Sequence, residues 1–278
     1  MLDPEIRDLA QAKNFAALTV IPAGGHPMTH VMWIDADDDC LLINTDLGRA
    51  KAIAMDNDPR VTVAIWDAAD PYHYAEVRGR VVETIAGPPA ADHINKLAGK
   101  YVGGPYTFGP TDQRLIYRIE PLHQRARATG EAPRPTQPVP TGVAPGEGSI
   151  VPLDPAIRDM AQAKNFGVLT VIPASGHPMT HVMWVDADDD CLLINTQLGR
   201  AKAIAMDNDP RVTVTIWDHD NPYHYAEVRG LVVGVETGEA AAAHIHKLAG
   251  KYVGGPYTMG PTDIRVLYRV APLRQRTM

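Results

Sequence analysis

The sequence predicts a mainly β protein with few helices, built as two copies of one small antiparallel barrel. Three observations predict it. Residues Leu2–Arg127 align with Leu153–Met278 at a constant offset of 151, without insertion or deletion, and 97 of the 126 pairs are identical. Each copy reads as six strands joined mostly by short turns. Only two connections hold a helix, whereas a parallel sheet needs a crossover after nearly every strand. The period is too long for a solenoid and is about the size of a whole small domain.

The elements of one copy follow in order. Asp3-Pro4 before Glu5–Lys13 reads as an N-capped short helix with Pro at its first position. Phe15–Pro22 is apolar and β-branched, the pattern of a buried strand. A turn at Ala23–His26 leads into Pro27–Asp35, which alternates Met28, His30 and Met32 with Thr29, Val31 and Trp33, as a strand does. The acidic turn Ala36–Asp39 precedes a third strand, Cys40–Thr45. Gly48–Asn57 is a short helix stopped before Pro59. Arg60–Asp67 and Tyr72–Thr84 are strands on either side of a loop carrying Pro71. Ala90–Tyr101 is a helix ended by Gly103-Gly104-Pro105, and Arg114–Pro121 is the last strand. The copies span 1–127 and 153–278. Residues 128–152, dense in Pro and Gly, read as a semi-extended linker.

Composition narrows the function classes. Hydrophobic residues at 45% and charged residues at 21% are those of an ordinary globular protein. No run of about 18 apolar residues predicts a membrane span, and the N-terminus lacks the pattern of a secretory signal. Cys40 and Cys191, the only cysteines, occupy one position of the repeat and are expected to be reduced thiols in the cytoplasm. A net charge of −7 argues against a nucleic-acid surface, so any bound anion must be held by a local basic cluster.

One such cluster is Asn44-Thr45-Asp46-Leu47-Gly48-Arg49-Ala50-Lys51, repeated at Asn195–Lys202. A strand ends in a hydroxyl, a glycine permits a tight turn, and a helix starts with Arg and Lys in its first turn. Backbone amides at a helix start favour an anion. Arg49 can grip phosphate bidentately and Lys51 adds a point charge. Cations at this end oppose the helix dipole, so they gain nothing unless an anion is present; otherwise the segment is a solvated basic turn. Asp46 becomes Gln197 in the second copy. A carboxylate beside a phosphate is repulsive, so the second site is expected to bind more tightly.

A second signal is the segment from Asp67 to Gly79, repeated from Asp218 to Gly230. Tyr72, Tyr74, Glu76 and Arg78 are expected on one strand face, polar enough to line a groove or interface. Glu76 and Arg78 also read as a structural ion pair. His26 and His30, four apart on a strand, stand ~13 Å apart and cannot share a metal. His30 is either a structural histidine or a proton donor beside the basic turn; His93 lies on the later helix, where Asn95 of the first copy becomes His246 in the second, and is not expected to be a metal ligand. Asp35–Asp39 begins like a calcium loop but lacks the Gly and Glu that such a loop requires, and a hairpin turn accounts for it. No nucleophile–base motif or zinc pattern is present, and no residue is assigned as catalytic.

The order F-A-x-L-T-V, G-x-P-x-x-x-x-x-W, N-T-x-x-G-R-A-K, N-D-P-R-V and D-P-Y-x-Y-x-E-V-R-G resembles the PPOX-class oxidoreductases that depend on coenzyme F420. These are relatives of pyridoxamine phosphate oxidase with a flavin-reductase-like split β-barrel. The resemblance covers nearly all of each repeat. It implies two antiparallel, Greek-key-like split barrels forming an intrachain pseudo-dimer, monomeric in solution, with cofactor in two grooves. Thr45, Arg49 and Lys51, with Asn44 and Gly48 in the same turn, would hold the phosphate-bearing tail. The strand carrying Thr29, His30, Val31 and Trp33 would run beside the deazaflavin ring. Trp66, Asp67, Tyr72 and Tyr74 would approach a ring from the partner repeat. The second copy supplies Asn195, Thr196, Gly199, Arg200 and Lys202; Thr180, His181, Val182 and Trp184; and Trp217, Asp218, Tyr223 and Tyr225. His30 and His181 stand where relatives more often carry a small residue, and most relatives are single-domain chains. The activity implied is hydride delivery from reduced coenzyme F420 to a flat conjugated C=C or C=N in a small-molecule substrate. An FMN-binding oxidase or flavin reductase of the same fold, or a non-catalytic module carrying a cofactor or haem, is the alternative.

Overall fold

The computed structural model describes residues 1–127 and 149–278, so the expected linker lies outside the described residues except at 149–152. The chain divides into two compact units, Met1–Thr129 and Gly130–Met278. The first contains α1 (Pro4–Gln11), β1 (Phe15–Val20), β2 (Met28–Trp33), β3 (Asp35–Ala36), β4 (Leu41–Asp46), α2 (Ala50–Asn57), β5 (Arg60–Trp66), β6 (Tyr74–Ala86), α3 (Pro88–Val102) and β7 (Arg114–Arg127). The second repeats the plan: α4 (Pro155–Gln162), β8 (Phe166–Val171), β9 (Met179–Trp184), β10 (Asp186–Ala187), β11 (Leu192–Gln197), α5 (Ala201–Asn208), β12 (Arg211–Trp217), β13 (Tyr225–Thr237), α6 (Glu239–Val253) and β14 (Arg265–Thr277).

Each unit is one seven-stranded antiparallel sheet, in the first in the order β2-β1-β5-β6-β7-β4-β3. The two ends of that order, β2 and β3, are separated in the chain by Ile34 alone, so the sheet curls into a split barrel. Tyr101 of α3 latches the seam. Its hydroxyl accepts the Ile34 N–H at 3.1 Å and donates to the Asn14 carbonyl. Tyr252 does the same for Val185 and Asn165.

Inside the first barrel Leu18, Val20, Ile43, Val61, Val63, Ile65, Val77, Tyr117 and Ile119 are fully buried, and α1 closes one end with Ile6, Leu9 and Ala10. Apolar burial of this kind is the main stabilising term. Asp3 caps α1, accepting from Glu5 N at 2.9 Å, with Pro4 at the first helical position. Gly103, at φ +77°, ends α3 in the left-handed cap that only glycine adopts without strain.

Three expectations need correction. The six strands are seven, because Asp35–Ala36, read as the end of one strand and the start of an acidic turn, pairs with Leu41 and Leu42 as β3. The last strand does not stop at Pro121 but runs to Arg127. Pro121 sits opposite Gly79 at a register shift, where the missing N–H costs no ladder bond. Tyr72 is not on the strand with Tyr74. Asp70 draws Tyr72 and His73 into a turn, its side chain accepting Tyr72 N at 3.0 Å and its carbonyl accepting His73 N at 2.9 Å. The helices also reach slightly beyond or short of their expected ends, as fraying termini do.

Candidate functional site

The basic turn forms as its sequence dictates. β4 ends at Asp46, and Gly48, at φ +78°, turns the chain into α2. The turn is tied to the start of β7 by Leu47 N–H on the Gln113 carbonyl at 2.8 Å. Arg49 caps α2 without a side-chain hydrogen bond to it, and no acid stands in the first turn. No acid within the first turn of the helix therefore balances the amide end of its dipole. Thr45 and Thr196 are buried at the strand ends. Asn44, also buried, spends its amide on structure: Nδ2 donates to the Ala90 carbonyl at 2.9 Å and to His93 Nδ1 at 3.3 Å, tying α3 to β4. Asn195 does the same with Ala241 and His244.

Pairing of β4 with β7 adds an arginine that no local motif announces. Arg114 lies opposite Asp46 in register, and its Nε stands 3.0 Å from Asp46 Oδ1. The other carboxylate oxygen faces Arg49 Nε at 3.4 Å, so one carboxylate sits between two guanidinium groups. The Arg114 guanidinium lies over the Tyr106 ring, 4.4 Å from its centroid, and donates to the Tyr106 hydroxyl. Tyr106 meets Trp33 edge-on, with centroids 6.3 Å apart, and Phe108 meets Trp33 at 6.1 Å. Trp33 itself stacks on Tyr101 at 5.0 Å with planes 4° apart. A continuous run Trp33–Tyr106–Arg114–Asp46–Arg49 thus joins the end of β2 to the basic turn. It is an aromatic wall leading to a cationic end. The second unit keeps Trp184, Tyr252 and Tyr257 in the same geometry, with Met259 in place of Phe108.

On β2 the alternation expected from the sequence is present. Met28 and Met32 pack on the core, with His30 on their face, while Thr29, Val31 and Trp33 take the other. Thr29 and Thr180 are buried and share hydroxyl hydrogen bonds with Thr19 and Thr170, at 2.9 and 3.2 Å. His30, Val31 and Val182 are buried and His181 is half-buried.

The remaining expected contacts lie elsewhere. Trp66 and Trp217 are fully buried at the ends of β5 and β12. Asp67 folds its own loop, accepting Ala69 N at 2.8 Å, and Asp218 likewise accepts Asp220 N at 2.9 Å. Tyr223 is half exposed in the turn before β13, whereas Tyr225 is buried and its hydroxyl is pushed up to about 12 by burial. Tyr74 pairs with Arg127 and Asp46 with Arg114, at opposite ends of β7. Within one unit the tyrosine group and the basic turn are therefore not brought together. Glu76 and Arg78 form the expected ion pair at 3.2 Å.

A buried polar centre that the sequence did not reveal lies behind the turn. Asp35, 2% exposed, receives His93 Nε2 at 3.3 Å and Lys96 Nζ at 2.5 Å. Because His93 Nδ1 accepts from Asn44, its proton is on Nε2, facing Asp35. Burial alone would raise the Asp35 carboxyl, but His93 and Lys96, helped by the Ala36 amide and the charge of Lys100, outweigh it and hold it at about 2. Asp186 is held at about 2 by His244, Lys247 and Lys251 in the same way. Cavities of about 310 and 300 Å³ adjoin the two aspartates, lined by Lys96 and Lys100 in the first and Lys247 and Lys251 in the second. Among the described residues no group of His, Cys, Asp and Glu could hold a metal ion, and no helix is long and apolar enough to cross a membrane. Cys40 and Cys191 are free and buried, and burial raises both thiols.

Comparison with solved structures returns proteins about the length of one repeat. An F420 reductase is 29% identical, with 45% of this chain and 98% of that one covered and a TM-score of 0.40. A conserved hypothetical protein from Mycobacterium tuberculosis is 23% identical (46% and 84% covered, TM-score 0.39). A putative pyridoxamine 5'-phosphate oxidase from Listeria innocua is 17% identical (42% and 90% covered, TM-score 0.34). No curated protein matches the chain. The family model for pyridoxamine 5'-phosphate oxidase matches it twice, over residues 2–122 and 153–275. With nearly the whole of both repeats matched, the chain belongs to the pyridoxamine 5'-phosphate oxidase family.

Proposed function

We propose that this chain is an oxidoreductase that uses reduced coenzyme F420 to reduce a flat, conjugated C=C or C=N bond of a small molecule. The observation that carries the proposal is the run from Trp33 through Tyr106 and Arg114 to Arg49, of which Trp184, Tyr257 and Arg265 repeat the first part in the second unit. It offers stacking area for a ring at one end and charge-assisted donors for phosphate at the other. The donor set fits a phosphate-bearing cofactor. Thr45, Arg49, Lys51 and the α2 amides would hold the anionic tail, and Trp33 with its strand would border the ring. When bound, the reduced deazaflavin supplies the hydride, and the protein's part is to orient it and exclude water. No side chain is assigned as the proton donor.

The tyrosine group and the basic turn stand at opposite ends of β7 in the first unit and of β14 in the second. A further part of the proposal is that the chain, which already carries two family repeats, works without a second copy. The chain is then a monomer of 30.2 kDa that needs no second copy, and sedimentation checks this. A protein that sediments as a dimer overturns that part.

The main test is a fluorescence titration with coenzyme F420 and, separately, with FMN. The Lys51→Ala/Lys202→Ala variant should bind coenzyme F420 weaker by about 1.5–3 kcal/mol per site, the range for a hydrogen bond to a charged group. Turnover of the reduced coenzyme against enones, quinones and tetrapyrroles then separates an enzyme from a carrier. Tight FMN binding without coenzyme F420 binding would overturn the cofactor assignment.

A further inference from the structure

The two basic turns differ at one position, and the difference reaches further than the turn itself. In the first unit Asn44, Arg114, Asp46 and Arg49 form an unbroken chain of contacts. Arg114 donates to Asn44 Oδ1 at 3.5 Å, its Nε stands 3.0 Å from Asp46, and Asp46 also pairs with Arg49. In the second unit the neutral Gln197 replaces Asp46. Its Oε1 accepts Arg200 Nε at 2.9 Å and a terminal nitrogen of Arg200 at 2.6 Å.

The surroundings of two buried atoms differ. Nε of Arg265, the counterpart of Arg114 and 5% exposed, makes no hydrogen bond, as Arg114 Nε makes none, but it has no carboxylate beside it; Asn195 Oδ1, the counterpart of the Asn44 acceptor, has no hydrogen bond either. Arg265 keeps its place opposite Gln197 in register and its seat over Tyr257, 4.4 Å from the ring centroid. What it lacks is a counter-ion. Burial lowers its guanidinium below the ordinary arginine value, and Tyr257 offsets only part of that. An uncompensated buried cation is costly, and an anion in reach relieves the cost.

We infer that Arg265 is an anion-binding residue of the second turn, acting with Arg200 and Lys202 on a phosphate group, and that Asp46 is the built-in counter-ion that withholds Arg114 from the first turn. The chain therefore has one strong and one weak phosphate site. This rests on the proposed cofactor only for the identity of the phosphate's bearer.

The test uses the full chain at low ionic strength, by calorimetry, with coenzyme F420 and independently with inorganic pyrophosphate. Wild type should show two classes of site differing about tenfold, on the order of one charge-assisted contact. Asp46→Gln should tighten the weak class about tenfold, and Gln197→Asp should weaken the strong one by a similar factor. Gln197→Asp should also raise the melting temperature, because it restores a carboxylate beside Arg265, which a folding defect would not do. Two equal sites for coenzyme F420, unmoved by either substitution, overturn the inference and leave the cofactor assignment standing. Pyrophosphate binding that follows this pattern while coenzyme F420 fails to bind does the reverse. If neither ligand binds, both fall.

Discussion

Asp35 offers the sharpest test of the electrostatics. Asp35→Asn keeps the shape and the acceptor for His93 but removes the charge facing Lys96 and Lys100. The folded carboxyl titrates at about 2, against 3.8 for the unconstrained group. That interval corresponds to about 2 kcal/mol, since one pH unit is worth about 1.4 kcal/mol. The sign follows from proton binding. Below 3.8 the unfolded chain takes up the proton before the folded one, so the charge stabilises fully above the unfolded value and its contribution vanishes as pH falls through about 2. At pH 7 the variant should be less stable by about 2 kcal/mol, and at pH 3 by about 1 kcal/mol, since roughly half the contribution survives there. Urea unfolding at a series of pH values measures this directly, and Asp186→Asn should behave alike in the second unit. A deficit that stays constant from pH 7 to pH 2.5 would refute the reasoning, because it would assign the loss to packing rather than to charge.

Two further outcomes are expected. Gly79→Ala and Gly230→Ala should each cost about 1–3 kcal/mol in chemical unfolding, as overpacked sites do, because a Cβ would lie 2.5 Å from the carbonyl of Glu120 or Ala271. Gly24→Ala, which faces open space, is the neutral control. Burial lowers Lys100 and Lys251 to about 8 against the opposing charge of Asp35 and Asp186, from 10.5 for a free lysine. Between those values the unfolded chain holds more protons than the folded one, so stability should rise with pH over that interval. A Lys100→Met/Lys251→Met variant should lose the rise, and a wild type whose stability falls steadily above pH 8 would contradict the assignment.

The strands and helices were legible because their signals are local: alternation, a cap at Asp3, a glycine at Gly103. The basic turn was legible for the same reason, as hydroxyl, glycine and cations fall within eight residues. Arg114 was not. It lies far from Asp46 in the chain, reaching it through β4–β7 pairing alone, and no local pattern distinguishes it from the other arginines of its strand. Asp35 was hidden by its neighbours. Asp37 does fold the expected turn, accepting Asp39 N and Cys40 N at 2.9 and 2.7 Å. Asp35, two residues earlier, is buried against α3. Pro121 misled in the opposite sense, since proline usually ends a strand and here occupies a bulge.

The strand order has a consequence for how the chain is made. In the first unit β5, β6 and β7 lie between β1 and β4, and in the second β12, β13 and β14 lie between β8 and β11, so neither barrel can close until its last strand has left the ribosome. The strand that β1 awaits, RVTVAIW, recurs almost unchanged as RVTVTIW in the second copy. A first barrel still open when residue 217 emerges could take the wrong partner, the misassembly to which repeated domains are prone. The 25 residues between the copies set a delay. At about 5–20 residues per second they take roughly 1–5 s to synthesise, comparable with or longer than the ms–s folding of non-local β domains. The Pro- and Gly-rich stretch would then serve as a timer as well as a tether, letting the first copy finish before its near-duplicate competes for the same strands.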